Sequence, residues 1–509
     1  MDIAIRVDAS ANIGFGHFKR CLSLANALET LGSRVVFVSR NLGIDVRQLA
    51  AAGGFQSIVL GRPGRDSRVA SGGRPRHAAW AQVNWQTDAR DTIEALSSFV
   101  PAVVIVDHYA FDARWHSVVR QHLNSILVVI DDLADRPILA DVLIDHNLDA
   151  LDIAKYAGQV SSKTRLLVGP RFALLGPSYR NLRKYRFREV VKSIGIFMGG
   201  IDEGGLSKVA LRGCREIAGF KGLIEIASTS ANIRLDELRR LESESVSTKV
   251  VVDLPSLVDF FARHDIQIGA GGGAAMERAA VGVPSLLLVT AENQRRVVCE
   301  LVSIEAAAAL ELGSTLSLHT IGEAVTRLLE SPANRRKLAE NSSRLVDGRG
   351  ATRVAAHVLR GEIMIRPAIM DDIGMMFEWR NHPSTRSMSR NSAPLNPESH
   401  ANWVMQALED RGRLLLIGYI GALNVGVVRF DELTDNVVEV SIYLDPDLHG
   451  VGLSKTFLTA AECFLAQSQR RAIHLVATVL NMNAGSRKLF KSCAYRFYDD
   501  FWRKSIAAP

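Results

Sequence analysis

A histidine set behind two glycines is the first group in this sequence with evident chemistry. A short apolar strand, residues 3–7, leads through a turn holding Asp8 and Ser10 to Gly14, Gly16 and His17. Leu22, Ala25, Leu28 and Leu31 then recur at helical spacing, so His17 falls in the first turn of a helix with one packed face. A helix start gathers backbone N–H groups and the positive end of the helix dipole, which suits an anionic group such as a pyrophosphate. The same positive end disfavours imidazolium, and a neutral ring there can act as a general base. The pattern also fits a histidine that only caps or packs. A second glycine cluster, Gly269, Gly271, Gly272 and Gly273, precedes a helix carrying Glu277, with Gly282 and Pro284 beyond. Glycines let the backbone approach a phosphate, and a carboxylate one turn into the helix can accept both ribose hydroxyls of a nucleotide. The alternative is a tight strand-to-helix turn with a surface glutamate.

The elements that must position these groups follow from the apolar runs. Residues 34–40, 102–109 and 125–133 are strands rich in Val and Ile, as in a parallel sheet covered on both faces. Polar groups mark the strand ends, Asp107, His108 and Tyr109 after one, Asp131 and Asp132 after another. That is where ligands bind in open α/β sheets, and one of these carboxylates is expected to orient His17 or contact a sugar. The letters of DDLAD at 131–135 match a magnesium-binding pattern that needs an all-helical setting, whereas here they end a strand. The Gly/Pro/Arg-rich stretch 61–77 reads as a surface loop, or as arginines approaching phosphates. A second α/β unit starts near residue 190, with strands at 193–202, 223–229 and 249–254. Two such units, each with a glycine turn before a helix, suggest a two-lobed enzyme with its site between the lobes. Residues 315–360 read as helical. After residue 363 the pattern becomes antiparallel, with strands at 414–421, 423–431 and 437–445. A glycine loop and an amphipathic helix follow at 446–465, then strand, turn and helix at 474–495.

A length of 509 residues corresponds to about three domains. With 47% apolar and 23% charged residues, the composition is that of an ordinary globular protein. A net charge of +7 fits anionic small-molecule ligands, while the lack of Lys/Arg blocks with interleaved aromatics argues against nucleic acid. Five scattered cysteines without a C-x-x-C pair point to a reducing compartment and away from zinc. With no basic leader and no apolar run of the ~18 residues that span a membrane, a cytoplasmic location and no membrane partner are expected.

Over about 350 residues the order of motifs resembles a known family. DASANIGFGHFKRCLSLA, VDHYAFDARW, VIDDLADR with IDHN, LVGPRFALL, MGGID, and GAGGGAAMERAAVGVPSL with ENQ are similar to the PseG-type UDP-2,4-diacetamido-2,4,6-trideoxy-β-L-altropyranose hydrolases of pseudaminic acid biosynthesis. The resemblance implies an α/β, GT-B-like pair of Rossmann-like domains, 1–175 and 176–355. It implies His17 as the base that activates water, with Tyr109 as a further catalytic residue. Asp8, Gly14, Gly16, Asp131 and Asn147 would meet the substrate. UDP would lie on the second lobe against Gly199, Gly200, Gly271, Gly272, Glu277, Asn293 and Gln294. Ala274 and Ala275 stand where the family often has Ser or Thr. No Asp-x-Asp metal site of the kind a metal-dependent sugar transferase uses is seen in this part, so a metal-free departure of UDP is expected.

Residues 363–509 resemble a GCN5-related N-acetyltransferase (GNAT) domain, an α+β fold. The loop His449-Gly450-Val451-Gly452-Leu453-Ser454 stands for the family's (Arg/Gln)-x-x-Gly-x-(Gly/Ala), departing at its first and last positions. By resemblance, Leu448, Gly450, Gly452, Leu453 and Asn483 would bind acetyl-CoA. Glu439 is a candidate base through water, or an edge-strand glutamate facing solvent. Phe490 replaces the usual tyrosine acid, leaving the proton donor open or supplied by Tyr495. WRNHPSTRSMSRN at 379–391 resembles the substrate side of acetyltransferases that modify nucleotide-linked amino sugars. Together these point to a bifunctional nucleotide-sugar enzyme. The alternatives are a glycosyltransferase of the same fold, or a hydrolase fused to a GNAT domain of different or lost activity.

Overall fold

The computed structural model describes all residues except Ala11, 65–74, Asn181, Arg183, Lys184, 311–314, 469–471 and 507–509, together with the side chains of Ile153 and Asn293. Most of the arginine-rich stretch 61–77 therefore lies outside the described residues. The chain divides into two compact units. One comprises Asp2–Asn26 with Val35–Ala351, the other Thr352–Pro509 with Met1 and Ala27–Arg34. No helix among the described residues is long and apolar enough to cross a membrane.

The first sheet contains β1 (Asp2–Val7), β2 (Arg34–Arg40), β3 (Gln56–Leu60), β4 (Val103–Asp107), β5 (Ile126–Ile130), β6 (Val142–Asp145) and β7 (Arg165–Val168). Helices α1 (Gly16–Thr30), α2 (Val46–Ala52), α3 (Trp85–Leu96) and α4 (Ala113–Leu123) connect its strands. Asn84 and Asp112 cap α3 and α4 with side-chain oxygens on orphan amides. The strand order is β3-β2-β1-β4-β5-β6-β7, the doubly wound order whose direction reverses between β1 and β4. Those two strands pair in parallel, Val7 opposite Asp107. The turn after β1 that carries His17 and the end of β4 that carries Asp107 are thus neighbours at the switch point. Val104, Val106, Leu127, Val129 and Leu143 close one face over Trp115 and Val119 of α4.

A second sheet repeats the plan with β8 (Ser193–Phe197), β9 (Leu223–Ser228), β10 (Thr248–Val252), β11 (Ile266–Ala270), β12 (Ser285–Leu288) and β13 (Ala308–Ala309). Its helices are α5 (Leu206–Arg212), α6 (Leu235–Ser243), α7 (Val258–Arg263), α8 (Ala274–Val281), α9 (Arg295–Ser303), α10 (Leu318–Glu330) and α11 (Pro332–Leu345), and α12 (Gly350–Val358) spans the boundary at Ala351–Thr352. All pairings are parallel in the order β10-β9-β8-β11-β12-β13. The reversal here falls between β8 and β11, the strands that run into Gly199–Gly200 and Gly271–Gly273.

The C-terminal unit holds β14 (Met364–Pro367), β15 (Arg413–Ile420), β16 (Leu423–Thr434), β17 (Val437–Leu444), β18 (Ile473–Ala477), β19 (Arg496–Tyr498) and β20 (Phe501–Ile506). Its helices are α13 (Ile373–Asn381), α14 (Pro383–Arg386), α15 (Pro397–Glu409), α16 (Ser454–Ser468) and α17 (Ala484–Ser492). The sheet is antiparallel except at β17–β18, which pair in parallel. That pairing ends at Glu439 opposite Val476, although β17 runs on to Leu444. The sheet therefore loses its continuity just beyond Glu439.

One buried group makes folding sensitive to acid. His116 of α4 is fully buried beside Trp115, and neither ring nitrogen has a hydrogen-bond partner among the described residues. Burial, then the Arg136 charge, push its imidazole down to about 3. An unfolded histidine titrates near ~6.5, so in between the unfolded chain binds a proton that the folded chain refuses. Stability is lost as the pH falls through that window, by up to ~1.4 kcal/mol per pH unit for one such group. His116→Leu is expected to reduce the slope of Tm against pH between about pH 6.5 and 4. An unchanged slope in the variant would contradict this role.

Candidate functional site

His17 lies in the first turn of α1, and its Nδ1 is 2.6 Å from Asp107 Oδ1 at the end of β4. A carboxylate only accepts, so Nδ1 carries the hydrogen, and in the neutral ring Nε2 keeps the lone pair. Arg20, one turn along α1, grips the same carboxylate with two bonds of 2.6 Å, from Nε to Oδ2 and from Nη2 to Oδ1. Its Nη1 donates to Asp132 Oδ2 at 3.0 Å, and the Tyr109 hydroxyl donates to the other oxygen of Asp132. Burial would raise the Asp107 carboxyl, but Arg20 and His17 outweigh it and hold the group well below the usual carboxylate range. Asp132 is likewise held down to about 2, burial being overcome by Arg20 and the Tyr109 hydroxyl. The Tyr109 ring stands edge-on to His17, with centroids 4.6 Å apart, and Trp80 approaches the imidazole from 6.1 Å. The imidazole is thus oriented, braced by a charged carboxylate and walled by aromatics, an arrangement that can take a proton at Nε2 and stabilise the resulting cation. Among the strand-end carboxylates, Asp107 is the one that meets His17. Arg20 was not singled out in the sequence, although its spacing of three from His17 puts both on one helix face.

The expected substrate-side residues separate into two groups. Gly14 and Gly16 face open space, with nothing within 4 Å of a built Cβ, and Gly14 has φ +75. Asp8 does not face a ligand. It is fully buried, ion-paired with Arg6, 3.1 Å from His108 Nε2, and accepts from the Arg40 amide. Asp131 is also fully buried, held by Arg136 at 2.7 Å and by the Ala134 amide at 2.9 Å. Both expectations of substrate contact are corrected: each carboxylate is used up by cations and amides of its own lobe. Asn147 is buried as well, and its amide donates to Asp145.

In the second lobe, Glu277 sits in the first turn of α8, its side chain 13% exposed and 3.8 Å from Lys19 Nζ of α1. The two helices that follow the glycine turns therefore face one another. Gly199 adopts φ +99, and the Gly200 carbonyl accepts from the Thr229 hydroxyl at 2.6 Å. A Cβ on Gly271 would come within 2.2 Å of Val298, so close packing of α9 demands that glycine whatever it binds. Gly272 is more open, with Gln294 3.5 Å away. Gln294 Oε1 accepts from the Thr290 amide and hydroxyl. The side chain of Asn293 lies outside the described residues. Arg296, two residues beyond the ENQ segment, is ion-paired with Asp149 of the first lobe.

The C-terminal unit has a cavity of about 930 Å³ where β17 and β18 part. Glu439 lines it, its side chain 19% exposed, accepting from Arg390 and, at 3.1 Å, from Thr478. The edge-strand alternative is corrected, because β17 lies inside the sheet between β16 and β18. Gly450 and Gly452, at φ +74 and +94, lead into the 15-residue α16. Gly450, Ser454 and Asn483 line the cavity, whereas Leu448 and Leu453 are buried beneath it. Positive-φ glycines before a helix start fit the phosphates of an acyl-CoA. Phe490 lines the cavity, but Tyr495 is a buried residue whose hydroxyl donates to Glu462 at 2.8 Å. Burial and Glu462 push its phenol upward, so Tyr495 is corrected as a proton donor. Arg380 Nη1, Thr385 Oγ1 and His400 Nδ1 also line this cavity, buried without hydrogen-bond partners among the described residues. Thr385 and His400 gave no signal in the sequence, since their polarity matters only once they are enclosed.

Comparison with known proteins agrees with this division. Residues 362–507 match the family model described as an acetyltransferase (GNAT) domain. The chain is 21% identical to an uncharacterized protein of Methanocaldococcus jannaschii, covering 97% of each. It is 26% identical over 199 residues to the spore coat polysaccharide biosynthesis protein SpsG of Bacillus subtilis, 39% of this chain and 59% of that protein. It is 24% identical over 129 residues to acetyltransferase PseH of Campylobacter jejuni, 25% of this chain and 80% of that protein. A crystal structure of the glycotransferase of kitacinnamycin aligns with TM-score 0.50 and 14% identity, over 70% of this chain and 98% of that one. This last likeness concerns the fold alone. The chain joins a GT-B-like pair of Rossmann-type sheets to a C-terminal GNAT acetyltransferase domain.

The Asp107 contact fixes one tautomer. In ¹⁵N spectra of the histidine-labelled chain near neutral pH, His17 is expected to carry its proton on Nδ1, and Asp107→Asn should weaken that preference. A wild-type ring protonated on Nε2 would contradict the geometry.

Proposed function

We propose that the chain acts twice on one sugar nucleotide. The C-terminal unit acetylates the amine of a UDP-linked 4-amino-4,6-dideoxy sugar with acetyl-CoA. The N-terminal unit then hydrolyses UDP-2,4-diacetamido-2,4,6-trideoxy-β-L-altropyranose, as in pseudaminic acid biosynthesis, releasing the free sugar and UDP. The observation that carries the reading is the oriented His17, set at the start of a helix that faces Glu277 across the lobes. The polysaccharide-related name of the B. subtilis relative and the acetyltransferase name of the C. jejuni one point the same way.

In the hydrolysis, water attacks the anomeric carbon while His17 Nε2 takes one of its protons. The bond from that carbon to the diphosphate oxygen breaks, and its electron pair leaves with UDP. Asp107 stabilises the imidazolium so formed, and the amides at the start of α8 meet the charge growing on the diphosphate. Glu277 accepts the ribose hydroxyls. In the acetyl transfer, the acceptor amine gives a proton to Glu439 directly or through a water, and its nitrogen attacks the thioester carbonyl. The C–S bond breaks, and protonation of the sulfur completes CoA. The buried Arg380, Thr385 and His400 supply polar groups for an anionic, hydroxyl-rich acceptor.

Separate assays of the two half-reactions test the assignments. His17→Ala is expected to slow UDP release from the diacetamido sugar nucleotide by ~10²–10⁴-fold while UDP still binds. Retention of more than about a tenth of the rate would remove His17 as the base. Glu277→Ala should chiefly raise KM for the sugar nucleotide, and an unchanged KM would make the glutamate structural. Glu439→Gln should slow acetyl transfer while acetyl-CoA binding persists; wild-type transfer rates would contradict its role. UDP release that requires a second sugar acceptor would favour a glycosyltransferase.

A further inference from the structure

The charge around the acetyltransferase cavity is one-sided. Among the described residues, Glu439 is the single carboxylate that lines it, against the guanidinium groups of Arg380, Arg390 and Arg429. Arg429 lies 2.7 Å from Asp431 and is already paired. Arg380 is enclosed, its Nη1 without a hydrogen-bond partner among the described residues. Arg390 is different. Its side chain is 63% exposed, and it reaches from the segment between α14 and α15 to ion-pair with Glu439. Other bonds of that segment are local: Arg386 Nη1 to the Ser392 carbonyl, the Leu395 amide to Asn381 Oδ1, and the Ser389 hydroxyl to the Thr385 carbonyl. The Arg390–Glu439 pair joins the segment to the sheet by charge. Ion pairs with one well-exposed partner are weak and readily exchanged.

We propose that Arg390 stands in for the acceptor's ammonium group and thereby sets acceptor specificity. This rests on reading the cavity as the acetylation site for a nucleotide-linked amine. An entering ammonium takes the place of Arg390 on Glu439. The displaced guanidinium then lies over a cavity that already holds Arg380, which is unfavourable unless the acceptor also brings negative charge. An acceptor that carries an amine and a phosphate or diphosphate meets both demands, the amine on Glu439 and the anion on Arg390. A bare amine meets only the first. Discrimination thus includes a repulsive element against the wrong acceptor as well as an attraction to the right one. Acetylation turns the ammonium into a neutral amide, which no longer holds Glu439, and Arg390 can return as the product leaves.

The test uses the full chain at saturating acetyl-CoA with two acceptors, the UDP-linked 4-amino sugar and the same amino sugar without phosphate. For Arg390→Gln, KM is expected to rise about tenfold for the UDP-linked acceptor and to fall severalfold for the phosphate-free one, with KM for acetyl-CoA unchanged. Arg390→Lys, which keeps the charge, should restore most of the discrimination. A discrimination ratio within about twofold of wild type in Arg390→Gln, or equal movement of both KM values, would overturn the proposal. Wild-type protein that prefers the phosphate-free amine, or acetylates neither acceptor, would overturn the underlying reading of the site instead. Retained acetyl-CoA binding separates these results from misfolding of the variant.

Discussion

The carboxylate of Asp107 is the point on which the N-terminal site depends. It accepts from His17 Nδ1 and, through two bonds, from Arg20, and Arg20 continues to Asp132 and so to Tyr109. Four side chains from three segments are locked by one buried negative charge. Buried ion pairs contribute little net stability by comparison with apolar packing, yet removing one partner strands the other at a cost of about 3–5 kcal/mol. What such a cluster supplies is a fixed direction for the imidazole. The parallel register of Val7 against Asp107 makes this possible, because it brings the turn after β1 and the end of β4 to the same edge.

Both halves of the chain place their candidate sites where the pattern of a sheet breaks. In the two Rossmann-type sheets this is the reversal of strand order, between β1 and β4 and between β8 and β11. In the third sheet it is the parting of β17 and β18 beyond Glu439. At such places strand ends and loop amides have lost their sheet partners, so polar chemistry can be assembled without breaking a ladder. In the proposed reactions each break receives a phosphorylated ligand, which accords with the glycines that lead from these strands into helices.

Much of this fold was legible in the sequence because its signals are local. The Val/Ile runs of β2, β4 and β5, the glycine turns before α1 and α8, and the change to antiparallel strands after residue 363 all show in windows of ten to twenty residues. The site was legible only in part. Asp8 and Asp131 are polar residues at strand ends, as ligand contacts would be, but the sequence does not reveal that Arg6, His108 and Arg136 consume them. Arg6 also binds Asp88, 82 positions away, in a buried cluster that no local pattern announces. Tyr495 looked available for proton transfer until folding placed it on Glu462. Glu439 could not be assigned to an edge or an interior strand before its neighbours β16 and β18 were known. The short strands β19 and β20, with exposed Phe497, Tyr498 and Phe501, lack the apolar alternation that marks a half-buried strand.

The most direct test of the central claim is a paired assay on the purified full-length chain. UDP-4-amino-4,6-dideoxy-N-acetyl-β-L-altrosamine is supplied with and without acetyl-CoA, and free UDP and free CoA are followed together. The account predicts UDP release that depends on acetyl-CoA, with CoA formed in step. UDP release from the pre-acetylated sugar nucleotide alone, with no CoA formed from the amine, would contradict it.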